Sequence, residues 1–147
     1  MFDLIKSHPY FATDTKIYPA GEEIPYGITN VQALNIPDTN IGNRKVCIVD
    51  SGYDMSHPDL PKGDDILTGI SNGEAWNSDG TGHGSHVAGT IAAIGGNDIG
   101  VVGTVRNGQL KMHIVRVFND DERWNWGSSL ISAVSQTCDH FIWSIGN

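Results

Sequence analysis

The feature that most restricts the fold of this chain is the run KVCIV at residues 45–49, which is largely apolar and β-branched at odd and even positions alike. A strand with one wet face alternates apolar and polar residues. One covered on both faces need not, and such strands belong to parallel sheets with helices on either side. The run stops abruptly at Asp50-Ser51-Gly52. LKMHIVRVF at 110–118 has the same character, and HFIWSI at 140–145 reads as a third strand. Between the first two, residues 83–94 (HGSHVAGTIAAI) read as a helix whose small residues let it lie close to a sheet, stopped by Gly95 and Gly96. After Gly127, Ser128 and Ser129 cap apolar residues at helical spacing to about Cys138. Strand, helix, strand, helix, strand predicts an α/β fold: a three-layer, doubly wound, mostly parallel sheet with right-handed crossovers.

Length and charge narrow the partners. A chain of 147 residues can close one core, and no apolar run approaches the roughly 20 residues that a membrane helix needs. Nine basic residues against 17 acidic give a formal charge of −8, with no Lys/Arg cluster. Affinity for nucleic acid rests on cationic contacts to phosphate, so neither nucleic acid nor membrane is the expected partner. Cys47 and Cys138 have no CxxC or Cys/His spacing, which leaves out a zinc ribbon and a dithiol redox motif. Cys47 lies in an apolar run and reads as a buried thiol, with pairing to Cys138 as the alternative. Residues 1–22 lack a helical or alternating period, and Pro19-Ala20-Gly21-Glu22-Glu23 reads as a linker. In MFDLIKSHPYFATD, Asp3 and Lys6 interrupt the apolar stretch of a signal peptide, so no export signal is read there.

Two short motifs carry the chemistry. Open parallel sheets gather functional groups at the carboxyl ends of their strands, and Asp50 stands at such an end. A carboxylate followed by a small residue and a glycine can be held rigidly while the backbone turns away, which suits an acid that orients a histidine. The bland alternative is an Asx turn. His83, in Gly82-His83-Gly84, falls at a predicted helix start, where the positive end of the helix dipole helps keep the ring neutral, as a general base needs. A simple helix cap is the alternative there.

Together, VDSGYDMSHPDL at 49–60 and DGTGHGSHVAGTIAA at 79–93 resemble the aspartate and histidine signatures of the subtilase family of serine proteases. The order Asp, then His, with serine much later, is that of subtilisin. The resemblance implies a subtilisin-like fold, incomplete in this chain: residues 23–147 would be the N-terminal half of the peptidase domain, and residues 1–22 a propeptide tail or linker. It implies a serine endopeptidase acting on peptide or protein substrates, with Asp50 and His83 as catalytic residues, no catalytic cofactor, a monomeric state and an extracellular location. It also makes His86 a packing residue rather than the second member of an HxxH metal pair.

Ser144, Ile145 and Gly146 resemble the family's substrate-binding strand, which pairs with the peptide through its backbone. Residues 120–127 match the other side of the cleft, with Trp126 expected in an aromatic-lined pocket and an ordinary surface loop as the alternative. Asp59 and the loop 94–101 fall where many subtilases bind structural calcium. By position the ligands would be the side chains of Asp59 and Asn97 and the carbonyls of Ile94, Ile99 and Val101, oxygen donors that suit this ion. The alternative is a glycine-rich turn in which Asn97 satisfies its own backbone; the loop is one residue longer than the family pattern.

Two departures from the pattern stand out. None of the eleven serines lies in a Gly-Thr-Ser-Met-Ala motif, and the Ala-Gly-Asn string that serves the oxyanion is absent. The connection between Cys138 and Phe141 is only Asp139-His140, shorter than relatives have. The chain alone is therefore expected not to cut peptides, because in subtilisin losing the serine costs about as much as losing the whole triad. Two alternatives remain at this point. One is a short pseudoprotease that binds peptides or a partner without cleaving; the other is an unrelated doubly wound domain with Asp50 and His83 far apart.

Overall fold

The computed structural model describes residues 21–40, 44–71, 73–121 and 140–143. Its frame is a four-stranded, entirely parallel sheet of β1 (Lys45–Asp50), β2 (Leu67–Ser71), β3 (Lys111–Arg116) and β4 (His140–Trp143), in the order β2-β3-β1-β4. Among the described residues two α-helices accompany it, the single-turn α1 (Tyr26–Asn30) and α2 (His83–Ala92). This is the α/β architecture expected from the strand and helix order. The helix expected after Gly127 lies outside the described residues.

β1 is an interior strand, paired with β3 from Lys45 opposite Lys111 to Asp50 opposite Arg116, and with β4 from Val46 opposite His140. That position explains why its sequence does not alternate: Cys47, Ile48, Val49 and Asp50 are all buried. β2 was not legible as a strand. In LTGIS only Leu67 and Ile70 are apolar, which makes neither an alternating pattern nor a continuous run.

On one face, Gly84, Ala88 and Ala92 of α2, each four residues apart, turn toward the sheet and are buried. Ala88 and Ala92 join Ile48, Tyr53, Leu60, Leu67, Leu110, Met112 and Ile114 in the main core. Each leucine or isoleucine buried there contributes about 2 kcal/mol relative to exposure. Val49, Val115 and Val117 form a second cluster with Ile70 and Phe118. Cys47 is fully buried and disulfide-bonded, which corrects its reading as a free thiol. An apolar surrounding suits a thiol and half of a disulfide equally, so the run around it could not separate them. The other cysteine, Cys138, lies outside the described residues.

The folded unit already includes Glu22 and Glu23, although their composition reads as linker. Glu23 N–H donates to Gly100 O at 2.8 Å, Val102 N–H to Glu23 O at 3.0 Å, and Gly96 N–H to Glu22 Oε1 at 2.7 Å. Among the described residues, no helix is long and apolar enough to cross a membrane.

Candidate active site

At the carboxyl end of β1 the Asp50 carboxylate is completely buried, and its Oδ1 lies 2.8 Å from Nδ1 of His83, the first residue of α2. The histidine side chain is 42% exposed, so one end of the ring meets a buried acid and the other faces outward. Asp50 Oδ1 also accepts the Ser51 N–H at 2.7 Å, while Oδ2 has no hydrogen-bond partner among the described residues. The two predicted site residues are thus brought together. This overturns the alternative in which an unrelated domain holds them apart.

Close approach of strand end and helix start depends on two glycines. A Cβ on Gly84 would run into Gly52 O and lie 3.2 Å from Asp50 Cβ. Gly52 has φ +133°, and a Cβ there would strike Ser78 O. The sharp turn read from Asp50-Ser51-Gly52 is therefore real, and it makes room for the helix.

The start of α2 is capped by side chains from elsewhere, because its N-cap is Gly82, left-handed at φ 78°, with no side chain to serve. His83 N–H donates to Thr81 Oγ1 at 3.3 Å, Gly84 N–H to Ser51 Oγ at 3.0 Å and Ser85 N–H to Asp79 Oδ2 at 2.8 Å. The first three orphan donors of the helix are thereby satisfied. Asp79 also accepts from Ser51 Oγ at 2.8 Å, Ser85 Oγ at 2.6 Å and Gly82 N–H at 3.0 Å. Burial opposes its ionisation, but the bonds from Ser85, Ser51 and Gly82 outweigh it and hold the carboxyl below the usual range. The sequence reading gave Asp79 no role. Its signal was present: an acid shortly before a helix start that has no capping side chain.

A second residue missed in the sequence is Arg116, fully buried at the end of β3 opposite Asp50. Its guanidinium donates to Ala75 O at 2.9 Å, Ser78 O at 3.0 Å, Phe118 O at 3.0 Å and the carboxylates of Glu74 and Asp120. Asp120 Oδ1 in turn accepts the Gly80 N–H. One cation thus ties down the loop 73–82 that leads into His83.

The remaining predicted site residues divide. Trp126, Ser144, Ile145 and Gly146 lie outside the described residues. Asp59 is buried and meets the loop 94–101: its Oδ1 accepts Asn97 Nδ2 and its Oδ2 accepts Val101 N–H, both at 2.9 Å. Asp59 O accepts the Ile94 N–H at 3.0 Å, and Asn97 Oδ1 accepts Ile99 N–H at 2.9 Å. Asp59 and Glu22 thus bring two carboxylates to one loop, each accepting its N–H groups, and the bond from Ile99 N–H to Asn97 Oδ1 is the turn pattern given as the alternative to a cation site. His86 is exposed on α2, which corrects its reading as a packing residue: the buried side of that helix is Gly84, Ala88 and Ala92.

The parallel sheet and the Asp–His pair at its strand end define the class of this chain as subtilisin-like α/β. It belongs to the subtilase family, whose model matches residues 42–147. It is 37% identical to subtilisin DY of Bacillus licheniformis over 77% of this chain and 38% of the relative. With subtilisin E of Bacillus subtilis the identity is 34%, over 93% of this chain and 36% of the relative. Among solved structures it resembles a psychrophilic subtilisin-like protease, Apa1, from the Antarctic Pseudoalteromonas sp. AS-11. There the TM-score is 0.74 at 42% identity, covering 86% of this chain and 30% of that one. The chain thus spans between 30% and 38% of the length of these relatives.

Proposed function

We propose that these residues supply the acid and base of a serine endopeptidase. The observation that carries this reading is the 2.8 Å contact between a fully buried Asp50 and a half-exposed His83. An ionised carboxylate only accepts, so the proton of the neutral ring sits on Nδ1 and the lone pair on Nε2. That lone pair takes the proton of a serine hydroxyl as the oxygen attacks the peptide carbonyl, then returns it to the leaving amine. Asp50 fixes the tautomer and stabilises the imidazolium. No attacking serine or oxyanion donor is assigned among the described residues, and on this reading Ser144, Ile145, Gly146 and Trp126 line the substrate cleft.

Peptides and proteins are the substrates on this reading, an extracellular setting is its location, and the peptidase domain starts near residue 23. The disulfide at Cys47 supports that location, since such bonds persist in oxidising compartments. The reaction itself needs no cofactor. A structural calcium belongs to the same reading, held by Asp59, Asn97 and the carbonyls of Ile94, Ile99 and Val101. Its support is that two carboxylates, oxygen ligands that suit this ion, meet this loop, and its entry would displace the Asn97 amide from Asp59.

The test is hydrolysis of chromogenic peptides by the protein whose reading frame contains these residues. A burst of released chromophore followed by steady turnover, abolished by a serine-directed fluorophosphonate, is expected. Tight binding of the peptides without any release would instead establish a pseudoprotease.

A further inference from the structure

The Ser51 hydroxyl stands between two carboxylates, 2.8 Å from Asp79 Oδ1 and 3.2 Å from Asp50 Oδ1, and it accepts the Gly84 N–H at 3.0 Å. A hydroxyl has one proton to give. The shorter contact assigns it to Asp79. Asp50 Oδ1 is then left with the Ser51 N–H and the His83 ring. We propose that Asp79 is a positioning residue that raises the basicity of His83 by drawing the Ser51 hydroxyl proton away from Asp50. This rests on the reading of His83 as the general base.

The physical step is that each further hydrogen bond to a carboxylate disperses its charge and weakens its hold on a neighbouring cation. With Ser51 turned toward Asp79, the charge of Asp50 is spent on the imidazolium. Asp79 is built for this: five donors from Ser51, Thr81, Gly82 and Ser85 surround it. Those bonds hold it ionised, and an ionised acid can only accept the Ser51 proton. The other charged or titratable groups around the pair are placed differently. Arg116, opposite Asp50 on β3, is committed to Glu74 and Asp120; the Asp54 carboxylate accepts from Ser56; His86 is exposed one turn along α2.

Asp79→Asn reverses the bond. The Asn amide donates to Ser51 Oγ, so the hydroxyl turns to Asp50. The His83 titration midpoint, read from its imidazole NMR signals in the protein of the full reading frame, is expected to fall by about 0.5–1 pH unit. The acid limb of kcat/KM should fall with it. Ser51→Ala removes the proton that would weaken Asp50, so the midpoint should hold or rise. In the double variant the fall produced by Asp79→Asn should shrink to less than half. A folded Asp79→Asn with an unmoved midpoint, or an undiminished fall in the double variant, overturns the proposal. If Asp79→Asn does not fold, Ser51→Ala carries the test, and a lowered midpoint there overturns it. The NMR readout needs no turnover, so a protein without peptidase activity would sink the proposed function while leaving this coupling measurable.

Discussion

The Gly84 N–H donates to Ser51 Oγ across 3.0 Å, joining the backbone beside the histidine to the side chain beside the aspartate. The pair is therefore held by main chain as well as by its own hydrogen bond.

Gly84→Ala tests that hold on the pair. The new Cβ meets Gly52 O and Asp50 Cβ, and neither can yield without moving the end of β1. Overpacking of this kind costs about 1–3 kcal/mol, and a 1 Å displacement at a reacting centre costs about 100-fold in rate. Peptide turnover should drop by about that factor while the urea midpoint falls modestly. Unchanged turnover would show that the close approach is incidental.

Arg116→Met should be more damaging to the fold than to any single contact. It strips Glu74, Asp120 and the carbonyls of Ala75, Ser78 and Phe118 of their donor at once. Removing one member of such a buried network costs about 3 kcal/mol. Arg116→Lys keeps the charge but not the fork, so it should recover less than half of the loss in urea unfolding.

How much of this was legible beforehand depends on the range of each signal. Asp50, His83 and the turn at Gly52 are local: a strand end, a helix start and the residues between them show in a dozen letters. β1 was legible because burial on both faces leaves an unbroken apolar run. β2 was not, since Thr68, Gly69 and Ser71 break its pattern and its pairing with β3 supplies what its propensity does not. Arg116 sat unremarked inside a strand because its partners arrive from positions 74–78 and 118–120. Asp79 opens the histidine motif, and only the fold shows Ser51 brought back to it from 28 residues away.

His113 gives a pH dependence with a definite sign. Burial, with the charge of Lys45 added, lowers its pKa from the ordinary 6.5. Its Nδ1 lies 2.8 Å from Thr68 Oγ1, and its Nε2 is buried with no hydrogen-bond partner among the described residues. Below pH 6.5 the unfolded chain takes up the proton first, so stability is lost as the pH falls from 6.5 toward the lower folded value. The urea midpoint of the full domain should be lower at pH 5.5 than at pH 7.5, and His113→Gln should remove much of that difference. An equal slope in the variant would assign the loss to other groups.

Calcium should raise the thermal midpoint of the full domain, and a chelator should lower it, because an ion bound only by the folded state adds stability by mass action. Asp59→Asn should abolish the response. It should also weaken the apo protein somewhat, since Val101 N–H loses a charged acceptor. A midpoint indifferent to both calcium and chelator would leave Asn97 as a turn residue that satisfies Asp59 and its own backbone.

Whether His83 activates a serine separates a peptidase from a pseudoprotease. The most direct measurement is stoichiometric labelling by a fluorophosphonate of the protein whose reading frame contains these residues, compared between the natural protein and His83→Ala. One label per molecule in the first, slowed by about four to six powers of ten in the second, is the predicted result; that range carries over from triad removals in subtilisin and other serine proteases. Equal labelling of the two, or none in either, would contradict it.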